Sequence, residues 1–341
     1  MSRLFAALAA LALVAVGINV LLAPQTGPFA LAAVFEPHLL AAGAVAGLLA
    51  ILLTLSDRGG AAPWIRLLGV TVIVVAFVRV GGEWWSPEPT DAAAPADGAT
   101  RVSLMSWNLE AGSKAAAETM DGILDIPDDE APDVVALQEL TPDAAAVIEA
   151  SDELDRRYPY RVLEPRDGVR GMGILSSLPL VAGVYGARPM LLTASVLLDD
   201  GSRLDLVNAH PFPPRVESAF GFIPIGVDTR QRDRELGDVR DAVDVVEDPA
   251  RVILVGDLNV TPFEGGFAPV ADGLADAHAT VGVGTGFTWR PSWLEGWGLG
   301  LLRIDHVLSG EAVTPVASDV NCSLPGDHCR LTVTLDVAPA P

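Results

Sequence analysis

Cysteine is nearly missing from this chain. Only Cys322 and Cys329 occur in its 341 residues, and neither belongs to a CxxC pair or a Cys/His array with zinc-ligand spacing, which excludes a structural zinc site. Basic residues are scarce too: 22 Lys and Arg stand against 44 Asp and Glu, a formal net charge of −22. So acidic a surface keeps a domain soluble but opposes polyanions, which excludes nonspecific wrapping of nucleic acid without a local basic patch or bridging cations. No internal repeat marks a solenoid or propeller. Long apolar runs are plentiful but confined to roughly the first 80 residues, so the remainder suits one large core rather than two average domains.

Leu4 to Ala23 carries no charge and as a helix would rise about 30 Å, the thickness of a bilayer's hydrocarbon core. Arg3 precedes it, as in a signal peptide, but no small-x-small cleavage site follows and two more apolar runs do. The second run, Leu39 to Leu55, lies between His38 and Asp57, and its Gly43 and Gly47 form a small-xxx-small face for helix contact. The third, Trp64 to Val80, has Arg66 and Arg79 near its ends, where arginine snorkels, and Trp64, Trp84 and Trp85 placed like an interfacial belt.

Arginine-bearing ends face the cytoplasm, which puts Arg3, Arg58 and Arg66 inside and the Lys- and Arg-free segment Pro24 to Pro37 outside. Three spans then place everything after Val80 outside. The expected organisation is a membrane anchor over 1–85 (spans 4–23, 39–55 and 64–80), a flexible Pro-, Ala-, Asp- and Glu-rich linker over 86–100, and a folded domain over 101–337.

Within that domain, Arg101 to Trp107 alternates apolar and polar residues like a half-buried strand, and Val134 to Leu137 is a short apolar run like a core strand. Leu204 to Asn208, Val252 to Val255, Ile304 to Leu308 and Leu331 to Leu335 are further strand candidates. Leu236, Val239, Val243 and Val246 recur at helical spacing after Thr229, and Pro142 suits the first position of another helix. Interleaved strands and helices imply an α/β or α+β class, with packed sheets and helices outside.

Polar residues gather at the ends of these strands: Asn108, Gln138 and Glu139, His210, Asp257 and Asn259, then Asp305 with His306 and Asp327 with His328. Strand ends are rigid platforms on which distant positions converge. Hard oxygen donors such as Asn, Asp and Glu suit Mg²⁺ or Mn²⁺ rather than zinc. Taken singly, Asn108 also reads as a turn residue, Glu139 as a helix-start charge, Asp257 as a loop cap and His210 as a core histidine bonded to backbone.

Their joint order carries more. Ser106-Trp107-Asn108-Leu109, Gln138-Glu139, Gly173-Ile174-Leu175-Ser176, His210, Gly256-Asp257-Leu258-Asn259 with Thr261-Pro262, Arg303-Ile304-Asp305-His306 and Gly326-Asp327-His328 resemble the endonuclease/exonuclease/phosphatase pattern from Arg101 to about Leu335. The resemblance implies a four-layered sandwich of two packed β-sheets flanked by helices, and divalent-metal-dependent phosphoester hydrolysis. It implies Glu139 as the main metal ligand, with Asn108 and Asp327. It also implies that Asp257, helped by Asn259, orients or deprotonates the attacking water. His328, fixed by Asp305, would act on the phosphoryl oxygen, and His210 stands where some members carry a tyrosine. Gly326 departs from the serine common before the Asp-His pair, which changes the loop rather than the chemistry.

The substrate is less legible. Phe212, Phe220, Phe222 and Ile223, and Trp289, Trp293 and Trp297, lie in two segments that either pack the domain or the anchor helices or touch a membrane surface and admit a lipid-linked phosphate. Arg230, Arg232, Arg234 and Arg240 are interleaved with Asp228, Asp233, Glu235, Asp238 and Asp241, the pattern of a solvated helix face. Three functions are weighed. The leading one is an extracytoplasmic phosphodiesterase or phosphatase using Mg²⁺ or Mn²⁺ on lipid-derived or small phosphoesters. A membrane-anchored surface nuclease, with nucleic acid only as substrate, is the alternative, and a non-catalytic binding protein the third. No obligate protein partner is inferred. Outside the cell the only two cysteines, Cys322 and Cys329, are expected to form a disulfide closing the loop that presents Asp327 and His328.

Overall fold

The computed structural model describes residues 1–57, 59–84, 98–111 and 116–339. Most of the expected linker, 86–97, lies outside the described residues, as do Arg58, Trp85 and the Trp84 side chain. The chain forms two compact units: Met1–Trp85 with Pro214–Gln231 and Val260–Ala268, and Ser86–Pro213 with Arg232–Asn259 and Pro269–Pro341.

In the first unit the helices are α1 (Ser2–Leu22), α2 (Gly27–Val34), α3 (Glu36–Leu53) and α4 (Ala62–Trp84). By length and composition Ser2–Leu22, Glu36–Leu53 and Ala62–Gly81 can each cross a membrane. The segment read as a loop between the first two spans contains α2, which Thr26 and a proline at the first turn start. Gly43 and Gly47 permit close helix contact: a Cβ on Gly43 would lie 2.7 Å from the Ala12 Cβ, and one on Gly47 would lie 2.6 Å from a Val72 methyl. Arg79 is held by a carboxylate. Its Nε donates to Glu36 Oε1 at 2.8 Å, while Asn19 Nδ2 donates to Glu36 Oε2 at 2.5 Å and to the Phe263 carbonyl at 2.8 Å. An apolar medium makes unpaired polar groups costly, so this network ties the C-terminal ends of α1 and α4 to the N-terminal end of α3.

The strands are β1 (Thr100–Asn108), β2 (Val134–Gln138), β3 (Tyr160–Glu164), β4 (Met172–Ser176), β5 (Leu180–Ala187), β6 (Met190–Leu197), β7 (Arg203–Ala209), β8 (Arg215–Ala219), β9 (Ile223–Asp228), β10 (Val252–Asp257), β11 (Ala275–Asp276), β12 (Asp305–Ser309), β13 (Val313–Asn321) and β14 (Arg330–Val337). In the second unit they build two mixed sheets, ordered β13-β14-β1-β2-β4-β3 and β11-β12-β10-β7-β6-β5. Residue alternation explains the layers. Val102, Leu104, Val134, Ala136 and Ile174 share one buried cluster with Leu192, Leu206, Ile253 and Val255 of the other sheet. Their neighbours Met105, Trp107, Val135, Leu137 and Leu175 point the opposite way, onto Ile123, Ala144, Ile148 and Leu154. Those four come from helices α5 (Ala116–Leu124), α6 (Pro142–Glu149) and α7 (Asp152–Arg157). Each Val, Leu, Ile or Met among them contributes roughly 1.5–3 kcal/mol on burial. Helix α8 (Arg230–Asp244) buries Leu236, Val239 and Val243. The result is the α/β sandwich of two sheets flanked by helices.

Candidate active site

β1, β2, β7 and β10 end where β12 and β14 begin. β1 runs parallel to β2 and β10 parallel to β7, while β12 is antiparallel to β10 and β14 antiparallel to β1. Asn108 therefore pairs with Gln138, and Asp257 sits directly across from Asp305. The sheets are also bolted together below the site. Asn208 Nδ2 donates to the Leu137 and Gly173 carbonyls, and Gln138 Nε2 donates to Asn208 Oδ1 at 2.8 Å.

Backbone conformation at these ends is unusual. Glu110, Glu139 and Asn259 adopt φ of 52°, 58° and 52°, a left-handed region that non-glycine residues seldom occupy, so local strain is concentrated around the site. Gly256 answers to both conformation and space: its φ is 133°, and a Cβ there would lie 2.2 Å from the Ala209 carbonyl oxygen.

The eight residues to which the resemblance gives a role lie here. Asn108 Nδ2 donates to Glu139 Oε1 at 3.2 Å and to Asp257 Oδ2 at 3.0 Å. The same Asp257 oxygen is 3.4 Å from His210 Nε2, 3.5 Å from His328 Nε2 and 3.3 Å from Asn259 Nδ2. His328 Nδ1 meets Asp305 Oδ2 at 2.9 Å. Asp327 accepts from Trp289 Nε1 at 3.3 Å. His210 Nδ1 faces the Val169 carbonyl at 3.2 Å, which aims Nε2 at the carboxylates.

Charge follows geometry. Burial opposes the imidazolium of His328, yet Asp305, Asp257 and Asp327 outweigh it and push its pKa up to about 10. Burial also opposes the charge on His210, and the hydrogen bond and charge of Asp257, with Glu139, raise it nonetheless. Asp257 resists burial in the same way: the charge of His328 and the hydrogen bond from His210 hold it below the usual carboxylate range. Asp327 goes the other way, raised by burial and by the charges of Glu110 and Glu139.

That last shift bears on a metal. Asp327 Oδ1 is buried without a hydrogen-bond partner beside two further carboxylates, an arrangement a hard divalent cation relieves. Asn108, Glu139 and Asp327 fit it by donor chemistry. Ligating atoms of Asp257, Asp305 and His328 also lie within 4.8 Å of one another. Asp305 and His328 are already hydrogen-bonded to each other, which leaves Asp257 as the second carboxylate of that trio.

Several supporting residues escape sequence reasoning. Glu110 Oε2 accepts the Asp327 backbone N–H at 3.2 Å, joining the end of β1 to the Asp-His loop. Arg290 is fully buried, and its guanidinium donates to the carbonyls of Gly326, Cys322 and Leu324 at 2.9, 2.8 and 2.6 Å. The same loop carries the one bond here that the sequence did suggest, the Cys322–Cys329 disulfide. Thr288 Oγ1 accepts the Asp305 N–H at 3.1 Å. Arg232 corrects the reading of a solvated helix face: it is buried, and its Nη1 donates to the Asn259 carbonyl at 2.8 Å. Glu110 was findable as the acid two residues after Asn108, whereas nothing in sequence separates Arg232 or Arg290 from an exposed arginine. The two apolar segments also part company. Phe212 packs against the core, Trp289 bonds Asp327, Trp293 and Trp297 are exposed, and Phe220, Phe222 and Ile223 belong to the first unit.

No curated protein matches this chain. Among solved structures, the AP endonuclease LMAP from Leishmania major superposes with a TM-score of 0.54 at 18% identity, covering 77% of this chain and 95% of that one. D. rerio TDP2 complexed with single strand DNA product gives 0.50 at 21%, covering 69% and 99%. An AP endonuclease from Archaeoglobus fulgidus gives 0.50 at 16%, covering 68% and 98%. At these identities the likeness establishes the fold. The sequence model described as the Endonuclease/Exonuclease/phosphatase family matches residues 105–328, a stretch that runs from within β1 to His328, so the chain belongs to that family of metal-dependent phosphoester hydrolases.

Proposed function

We propose that this chain is an extracytoplasmic, Mg²⁺- or Mn²⁺-dependent phosphodiesterase or phosphatase acting on lipid-derived or small phosphoesters. The observation that carries the chemistry is Asp257 Oδ2, which lies within 3.5 Å of donor nitrogens on Asn108, His210, Asn259 and His328. A carboxylate so surrounded stays ionised and fixed, suited to orient a water and take its proton. His328, kept protonated by Asp305, donates to a phosphoryl oxygen as charge gathers there. Asn108, Glu139 and Asp327 would hold the cation, which when bound supplies charge neutralisation at the phosphoryl group.

The acidic composition supports a small or lipid-borne substrate over polymeric nucleic acid, and the three apolar helices support a membrane location. In this reading the N-terminus is inside, residues 1–85 anchor the chain, 86–100 tether it and 101–337 carry the activity outside. The test is the purified full chain with Mg²⁺ or Mn²⁺ offered phospholipids, phosphate monoesters and plasmid DNA. Hydrolysis of DNA alone would replace the proposal with a surface nuclease, and protection of the domain from protease in intact cells would reverse the orientation.

A further inference from the structure

Strands β8 and β9 form a two-stranded hairpin whose polarity is graded along its length. Its base carries Arg215, Glu217 and Asp228, with Asp228 bonded to Arg230 at 2.6 Å and near Arg215 at 3.8 Å. From Ser218 to Gly226 there is no charge at all. Phe220 is 87% exposed and Phe222 76%, and Val216, Ile223 and Ile225 are exposed beside them. A water-facing hairpin tip normally carries polar turn residues, and large contiguous apolar surface marks a contact.

The hairpin's base has a fixed place within its unit. Asp228 and Val227 pair antiparallel with Thr26 and Gly27, and the Thr229 N–H donates to the Gln25 carbonyl at 2.8 Å. A Cβ on Gly226 would lie 2.9 Å from Gly27, so glycine is needed for this approach. Residues 25–27 join the end of α1 to α2, at the end of the helices where Asn19, Glu36 and Arg79 meet. Phe222 is five residues from Val227, which limits the tip to about 17 Å from that junction at strand rise. That is within reach of a bilayer's interfacial zone.

We propose that the β8–β9 hairpin is a lipid-inserting wedge whose charged base sits among phospholipid headgroups while Phe220 and Phe222 enter the acyl region of the leaflet. A protein partner would be met by a polar rim around the apolar centre, and here polarity changes along the hairpin axis, as depth in a membrane requires. The proposal rests on the membrane-anchor part of the reading above and is independent of the hydrolytic part.

Full-length chain carrying Phe220→Cys or Phe222→Cys is labelled with an environment-sensitive fluorophore and reconstituted in phosphatidylcholine nanodiscs, the native cysteines being bonded to each other. Val45→Cys on α3 reports the span and Glu217→Cys the hairpin base. The expected result is blue-shifted emission at 220 and 222, quenched by lipid-borne nitroxides and protected from iodide, with 217 reached by iodide. Solvent-like emission at 220 and 222 while 45 is quenched by lipid overturns the wedge and leaves the anchor standing. An unquenched probe at 45 removes the anchor and the wedge together. Protection at 220 that disappears when discs hold a single copy assigns the tip to self-association and also overturns the wedge.

Discussion

Asp305 and His328 stand 23 residues apart in sequence and share a 2.9 Å contact between Oδ2 and Nδ1. Asp305 opens β12 and His328 immediately precedes Cys329 and β14, so sheet register brings them together. With its pKa raised from 6.5 to about 10, His328 contributes stability that is fully present below its unfolded value and is lost as pH rises through about 10. Asp305→Asn removes the largest raising interaction. Denaturant titrations of the metal-free protein between pH 6 and 10 are expected to show the variant losing most stability at the acid end of that range, and the basic limb of the rate profile moving to lower pH.

Glu139→Gln and Asp257→Asn are each expected to lower kcat by at least ~10²-fold, the scale of one transition-state group. The two differ in binding. Glu139→Gln weakens Mg²⁺ or Mn²⁺ affinity in calorimetric titration, whereas Asp257→Asn changes it little if its work is done on the water. Equal loss of affinity in both would make Asp257 a ligand.

Arg290 and the disulfide secure one loop by different means. Arg290→Met leaves the Cys322, Leu324 and Gly326 carbonyls without their donor, each buried loss costing about 1–3 kcal/mol where water cannot replace it. Removing the cross-link by Cys322→Ser with Cys329→Ser is expected to cost about 2.5 kcal/mol in the chain-entropy view. Urea unfolding measures both, and a double-mutant cycle should give a non-additive sum because the two hold the same segment.

Acid should strike a second, largely buried pair. Arg303 Nη1 donates to both oxygens of Asp276, 2.8 and 2.7 Å away. Burial opposes the charge of Asp276, but Arg303 and His306 depress its pKa well below the ordinary 3.8. The stability from this depression is present above that value and is lost as pH falls below it toward the folded pKa. Asp276→Asn is expected to be less stable than the parent at pH 7, with the gap narrowing in acid, by thermal denaturation across pH 2–7.

Much of this was legible in one dimension because burial imposes periodicity. The apolar runs behind β2, β7, β10 and β14 and the long apolar helices α1, α3 and α4 are patterns a helix or strand must satisfy locally; Asn108, Glu139 and Asp257 close such patterns, and His328 comes just before one. Pairing decided the rest. The attachment of the β8–β9 hairpin at Thr26 and Gly27 depends on backbone partners some 200 residues away, for which residue type gives little sign. Arg232 and Arg290 read as surface charge until carbonyls from distant loops close around them, since a guanidinium can be buried only where the tertiary structure supplies its acceptors.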